Sequence, residues 1–204
     1  MPAPRIAVVI GSTRPTRICA DIARWIAARL EEDLAAGGAL ARSGVEVVDL
    51  AEVNLPLLDE PVRAALGVYE HEHTRRWSGI VRGFDAFVFV FPQYNWGYPA
   101  VLKNALDYLY AEWRDRPAAA VSYGKRGGGK AVAQLVQVLT GLHMRVLDTH
   151  VEIPIGESEV MPETSLAPHR LIDAEATLAA VRPAVRDLAV ELRAALAADP
   201  EASP

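Results

Sequence analysis

Short, wholly apolar runs alternate along the chain with longer stretches in which apolar residues recur every three or four positions. Arg5–Ile10 is a β-branched run closed by Gly11, and it predicts a buried parallel strand. Ile18, Ile22, Trp25, Ile26 and Leu30 follow at helical spacing, and Gly37-Gly38 breaks that helix. Val45–Leu50 predicts a second strand, and Asn54 to Pro61 a loop. Residues of about 70 to 82 have a helical pattern, and Ala86–Phe91 is the strongest strand, stopped by Pro92. Tyr98 to Trp113 has helical periodicity, with Leu102, Leu106 and Leu109 on one face. Pro117–Ser122 is a fourth strand, Gly127-Gly128-Gly129 leads into a helix through Leu142, and Met144–Leu147, or on to Val151, is a fifth strand. Residues 154–168 are irregular, and Asp173 to Leu196 is a last helix that Pro183 should kink or break.

Strand followed by helix, five times over, predicts an α/β fold with a parallel sheet covered by helices on both faces. The 204 residues read as one domain, with 153–204 as a C-terminal extension and last helix, frayed from Ala198 on. Ligands of such sheets bind beyond the carboxyl ends of the strands, so the loops after the first, third and fourth strands are the candidates.

The first of these, Gly11-Ser12-Thr13-Arg14-Pro15-Thr16-Arg17, joins a strand to a helix N-terminus. Free backbone N–H groups and the positive dipole end favour an anion there, and the hydroxyls of Ser12, Thr13 and Thr16 with the cations of Arg14 and Arg17 suit a dianionic phosphate. The dinucleotide fingerprint G-x-G-x-x-G is absent. The second loop, Pro92-Gln93-Tyr94-Asn95-Trp96-Gly97-Tyr98-Pro99, sets flat rings and amides between two prolines, a composition suited to a planar heteroaromatic ring or to aromatic packing against a neighbour. The third, Ser122 to Lys130, is glycine-rich enough for close backbone approach to a ligand. It nearly spells the nucleotide P-loop, but Ala131 stands where the Mg²⁺-binding hydroxyl belongs, which argues against that reading.

Other features remove function classes. The net charge of −5, with cations scattered outside the loops, speaks against nucleic acid as a partner, and no apolar run reaches membrane-spanning length. The single cysteine, Cys19, permits no internal disulfide and fits a cytoplasmic location; alone, it reads as a packing residue. His71 and His73, two apart, should point to different helix faces and make no metal pair, while His143, His150 and His169 read as surface or packing residues. Glu31-Glu32-Asp33 reads as a solvated helix end, and no G-x-S-x-G elbow is present.

Gly-Ser-Thr-Arg in the first loop, Pro-Gln-Tyr-Asn and then Pro-Ala-Val-Leu-Lys-Asn-Ala-Leu-Asp in the second, and Ser-Tyr-Gly with its glycines in the third stand in the order of a known family. Over residues of about 5 to 152 the chain resembles the NADPH-dependent FMN reductases, and Pro92 to Asp107 is the most specific piece. The resemblance implies a flavodoxin-like, doubly wound, five-stranded parallel sheet of order 2-1-3-4-5. It implies FMN as cofactor and NADPH or NADH as co-substrate. Ser12, Arg14, Thr16, Arg17, Ile18 and Cys19 would then hold the FMN phosphate. Pro92, Gln93, Tyr94, Asn95 and Trp96 would line the isoalloxazine, with Ser122, Tyr123 and Gly124 closing the other side. Gln93 replaces the usual family Glu, which keeps a hydrogen-bonding side chain and removes a charge.

The reaction expected is hydride transfer to FMN and on to a quinone, azo or nitro compound, metal oxyanion or oxygen, with no side chain required as acid or base. The rival is a non-enzymatic electron carrier, disfavoured by the modest charge and by the aromatic, basic loops. The resemblance further implies a homodimer or homotetramer. Tyr98, Tyr108, Tyr110 and Trp113 on the helix from Pro99 to Trp113 are the expected subunit contacts, and residues 153–168 are long enough to reach across a dimer.

Overall fold

A computed structural model of the chain describes residues 3–36, 44–160 and 170–198. Four strands, β1 (Arg5–Ile10), β2 (Gly44–Asp49), β3 (Ala86–Pro92) and β4 (Pro117–Gly124), run parallel in the order β2-β1-β3-β4. The far edge of β4 is shared by β5 (Arg145–Val146) and β6 (Val151–Pro154). The helices are α1 (Cys19–Ala35), α2 (Leu50–Val53), α3 (Glu72–Arg82), α4 (Ala100–Asp107), α5 (Gly129–Gly141), α6 (Ala174–Leu178) and α7 (Arg182–Ala197). This is the expected flavodoxin-like order, with the fifth strand in two pieces.

Successive side chains of a strand point to opposite faces, so each strand feeds two cores. Ile6, Val8, Ile10, Val88, Val90 and Val121 pack against α1 and α7. Ala7, Val9, Phe87, Phe89 and Phe91 pack against α3, α4 and α5. β3 is buried along its whole length, which is why Ala86–Phe91 reads as an unbroken apolar run. Ile22, Trp25, Ile26 and Leu30, the apolar stripe expected on the first helix, are all buried. At about 1.5–3 kcal/mol for each large side chain removed from water, such burial dominates the stabilisation of the layers.

Several expectations are corrected. The fifth strand is interrupted because the Glu191 carboxylate of α7 takes the N–H groups of Asp148 and Thr149 at 2.6 and 2.8 Å, drawing them away from β4. His150 fills the gap: its Nδ1 accepts from Ala120 N–H at 3.4 Å, and burial holds the imidazole below its ordinary pKa, consistent with a neutral ring that can accept. The helix expected to reach Trp113 ends at Asp107. The indole N–H of Trp77 takes the carbonyl of Ala105 (2.9 Å), and that of Trp113 takes the carbonyl of Leu106 (3.1 Å), so the last turn of α4 is satisfied by side chains. Tyr108 and Trp113 are thereby fully buried in the chain's own core and offer no surface to a second subunit.

The last helical stretch does break at Pro183, which lies in the first turn of α7 after a separate α6 and a 3₁₀ turn. Asp33 does not face solvent alone; it forms a bidentate pair with Arg182 that clamps α1 to α7. His71 and His73 stack at 5.1 Å instead of diverging, because His71 is the extended N-cap of α3 and lies outside the helix. The Gly37-Gly38 break, His169 and most of 154–168 lie outside the described residues, as does the expected fraying beyond Ala198.

Candidate functional site

The loops after β1, β3 and β4 meet at the carboxyl edge of the sheet, as the topology requires. The first leaves β1 through Gly11, whose N–H donates to Val90 O at 2.8 Å and holds the loop root against β3. Ser12 is buried, with its Oγ 3.2 Å from the phenol oxygen of Tyr94. Thr13 and Arg14 are exposed, and Thr16 and Arg17 half-buried. Among the described residues the backbone N–H groups of Ser12, Thr13 and Thr16 donate to no backbone oxygen. α1 then begins without a side-chain cap, because Ile18 at its N-cap carries no acceptor. The positive end of a 17-residue helix is left open to an outside acceptor.

Arg17 is held from the side by Asp49, at the end of β2, at 2.6 Å. Asp49 also caps α2 by accepting from Ala51 N–H at 2.9 Å. Among the described residues the buried Arg17 Nε has no partner, as is also true of Arg29 Nε and Arg193 Nε. A buried guanidinium N–H without an acceptor is costly. Asp49 was missed by sequence reasoning. The expected 2-1-3-4-5 order puts an acid at the end of β2 beside the first loop, and that juxtaposition was the available signal.

Two of the expected phosphate residues do not offer their side chains. The Cys19 thiol is fully buried and lies 3.2 Å from Val90 O, and burial pushes its pKa up to about 12. It is a neutral core group, and only its backbone N–H can face an anion at the start of α1. Ile18 is likewise buried. Tyr123, expected to close the site, points into the core with Cys19, because strand alternation sends Val121 and Tyr123 to the α1 side. Ser122 faces the other way but is also buried, and its Oγ donates to Gly127 O at 2.8 Å.

The second loop is a tight hairpin. Tyr94 and Gly97 exchange N–H···O bonds of 2.9 Å in both directions, and the two residues between them, Asn95 and Trp96, have φ of 48° and 72°. Positive φ at both central positions is the mark of a type I′ turn, which favours Asn and Gly. A tryptophan there is strained, since its Cβ crowds the backbone. Trp96 is 65 % exposed, and Lys130 Nζ sits 3.1 Å from its ring centroid. Gln93 Oε1 accepts from Ala131 N–H at 3.2 Å, so the amide that replaces the family carboxylate caps α5. Further along, the Asn104 amide clamps the β2-end loop, donating to Pro56 O at 2.7 Å and accepting from Leu58 N–H at 2.9 Å.

The third loop is closed upon itself. Gly127 and Gly128 have φ of 79° and 98°, and a Cβ on Gly128 would lie 2.9 Å from Ser122 Cβ and Oγ. The carboxylate of Glu152 is so near that a Cβ on Gly129 would lie 2.6 Å from its Oε1. Gly127, Gly128 and Gly129 admit the chain's own side chains, whereas a Cβ on Gly124 would meet only Gln93 Cβ at 3.8 Å. Lys125 pairs with Glu157 at 2.7 Å, both well exposed. Lys130 covers Trp96, so neither lysine of the near P-loop faces a phosphate cradle.

The chain is similar to known proteins in sequence and in fold. The family model for NADPH-dependent FMN reductase matches residues 4–157. The chain is 41 % identical over 175 residues to the NAD(P)H-dependent FMN reductase LOT6 of Saccharomyces cerevisiae, covering 79 % of this chain and 90 % of that one. It is 42 % identical over 160 residues to the NAD(P)H-dependent FMN reductase C4B3.06c of Schizosaccharomyces pombe, covering 78 % and 76 %. Among solved structures, FerB, a flavoenzyme NAD(P)H:(acceptor) oxidoreductase from Paracoccus denitrificans, superposes with a TM-score of 0.64 over 94 % of this chain and 98 % of that one at 21 % identity. With motif order, sheet order and sequence in agreement, the chain belongs to the NADPH-dependent FMN reductase family.

Proposed function

We propose that this oxidoreductase binds FMN at the carboxyl edge of its sheet and uses it to carry electrons from NADPH or NADH to a small-molecule acceptor. The observation that carries the reading is the open donor set at the β1–α1 loop: an uncapped helix N-terminus, the hydroxyls of Thr13 and Thr16, and a buried Arg17 Nε with no partner among the described residues. A terminal phosphate dianion supplies the acceptors that these groups lack.

FMN, when bound, supplies the redox chemistry, taking a hydride from the reduced pyridine nucleotide and releasing the electrons to the acceptor. The chain's own residues bind and orient. Ser12, Thr13, Thr16 and Arg17 hold the phosphate, with Arg14 at the exposed lip of the same loop. Asp49 holds the Arg17 guanidinium from the side through its Nη2. Gln93, Tyr94 and Asn95 wall the isoalloxazine from the β3 end, and the backbone of Ser122 to Gly124 bounds it from β4. The Tyr94–Ser12 contact at 3.2 Å ties the second loop, which would wall the ring, to the first, which would hold the phosphate. No titratable side chain is needed to move a proton at the ring.

The reading is tested with the purified protein loaded with FMN and titrated anaerobically with NADPH and then NADH, while the flavin absorbance near 450 nm is followed. Direct bleaching in the absence of any partner protein is expected. If dithionite bleaches the flavin and neither nucleotide does, the protein is an electron carrier and the reductase reading fails.

A further inference from the structure

Trp96, expected to line the isoalloxazine, stands apart from the chain's other tryptophans in backbone conformation and exposure. The hairpin that carries it needs positive φ at two adjacent positions, a requirement that glycine or asparagine meets at little cost and tryptophan does not. The strain is not repaid by burial. Trp25, Trp77 and Trp113 are at most 7 % exposed, whereas Trp96 is 65 % exposed. One face of its ring is fixed by Lys130 at 3.1 Å, and the hairpin under it is locked by the Tyr94–Gly97 bonds. Tyr94 reaches the phosphate loop through Ser12, and the neighbouring Gln93 reaches α5, so the hairpin stands at the rim of the proposed flavin site. A large electron-rich ring is thus left mostly exposed, with a cation 3.1 Å from its centroid, on a hairpin tied to the proposed flavin site.

From this geometry we infer that Trp96 is a stacking platform for the planar, electron-poor ring of an incoming substrate, and that Lys130 is the positioning residue that holds the platform. The inference deepens the proposed function and rests on it for the identity of the substrates. Two sources share the ligand chemistry: a quinone-type acceptor and the oxidised nicotinamide ring of the pyridine nucleotide as it forms and leaves. Indole stacks on flat electron-poor rings by offset contact, and removing one such contact lowers affinity by roughly 3- to 10-fold. Lys130 also accounts for the near P-loop spelling: the lysine serves the ring of the neighbouring loop.

The test uses fluorescence. As the exposed tryptophan among the four, Trp96 should dominate the long-wavelength emission. FMN-loaded protein is titrated without reductant with menadione in one arm and NADP⁺ in the other, and the spectrum of Trp96→Leu is subtracted at each point after absorbance correction. Saturable quenching of the difference signal by menadione identifies the acceptor ring as the guest, and saturation by NADP⁺ identifies the nicotinamide. In either case Lys130→Met should weaken the apparent affinity roughly 3- to 10-fold, and Lys130→Arg, which also stacks on indole, should restore it.

The inference is overturned if neither ring quenches saturably, or if quenching persists in Trp96→Leu. It is also overturned if the Trp96 emission is blue-shifted and insensitive to iodide, since a second protein surface then covers the ring. Anaerobic bleaching by NADPH, measured on the same wild-type preparation, keeps the two readings apart: bleaching without quenching removes the platform and leaves the reductase.

Discussion

The β1–α1 and β4–α5 loops are built to one plan and finish in opposite states. Each leaves the carboxyl end of a central parallel strand and enters a helix N-terminus, and each is rich in cations and small residues. By spelling, the second is the better phosphate loop, with its run of glycines and a lysine. In space its helix N-terminus is already engaged by Gln93 Oε1, Gly127 and Gly129 are crowded by Glu152 and Gly128 by Ser122, and its lysines are committed to Glu157 and Trp96. The first loop has fewer glycines but an uncapped helix and a buried N–H with no partner. What makes an anion site is the state of its donors, and a glycine count does not report that state.

The largest effect expected from breaking this contrast is on stability. Gly128→Ala must place a Cβ at positive φ and 2.9 Å from Ser122, so it should cost about 2–4 kcal/mol in urea unfolding. An unchanged midpoint would mean that the third loop is open in solution and free to approach a ligand, erasing the difference between the loops.

The next prediction concerns what lies beneath the first loop. In the folded chain the Cys19 thiol keeps its proton up to about pH 12, whereas in the unfolded chain it ionises near 9. The unfolded state therefore gains from deprotonation first. The stabilisation is complete below pH 9 and is lost as the pH rises towards 12. Wild-type urea midpoints should fall more steeply over that window than those of Cys19→Ala. Parallel curves, together with rapid alkylation of the native protein at pH 8, would show an ionisable thiol within the anion site.

The smallest effect is on the capped helix. Gln93→Glu restores the family carboxylate at the positive end of α5 and should add about 0.3–1 kcal/mol by the helix dipole, seen as a modest rise in thermal midpoint. A fall would mean that the nearby Glu152 carboxylate repels it more strongly than the helix attracts it, and that the chain carries Gln for that reason.

Much of this organisation was legible in the chain. Apolar runs give β1, β3 and β4 because these strands are buried on both faces, and the hydroxyls and arginines of the loop after β1 are what the proposed phosphate site is built on. The rest depended on contacts distant in sequence. Nothing near residues 148–150 reveals that Glu191 would draw two N–H groups out of the sheet edge. Leu109 and Trp113 fall at helical spacing, yet Trp113 folds back to take the carbonyl that would have continued α4. Cys19 and Tyr123 occupy positions that look exposed to the site, and strand alternation and helix phase send both side chains into the core. Motif order points to the candidate loops, but only the hydrogen bonds separate the open loop from the closed one.

The central claim, that the β1–α1 loop is the phosphate site, is tested most directly by isothermal titration of the apoprotein with FMN and with riboflavin, which differ by the phosphate. Each charge-assisted bond lost should cost about 1.5–3 kcal/mol, so FMN should bind at least roughly 10-fold more tightly. Arg17→Ala should remove much of that preference while leaving the riboflavin affinity nearly unchanged. Equal affinities for the two flavins in the wild-type protein would contradict the account.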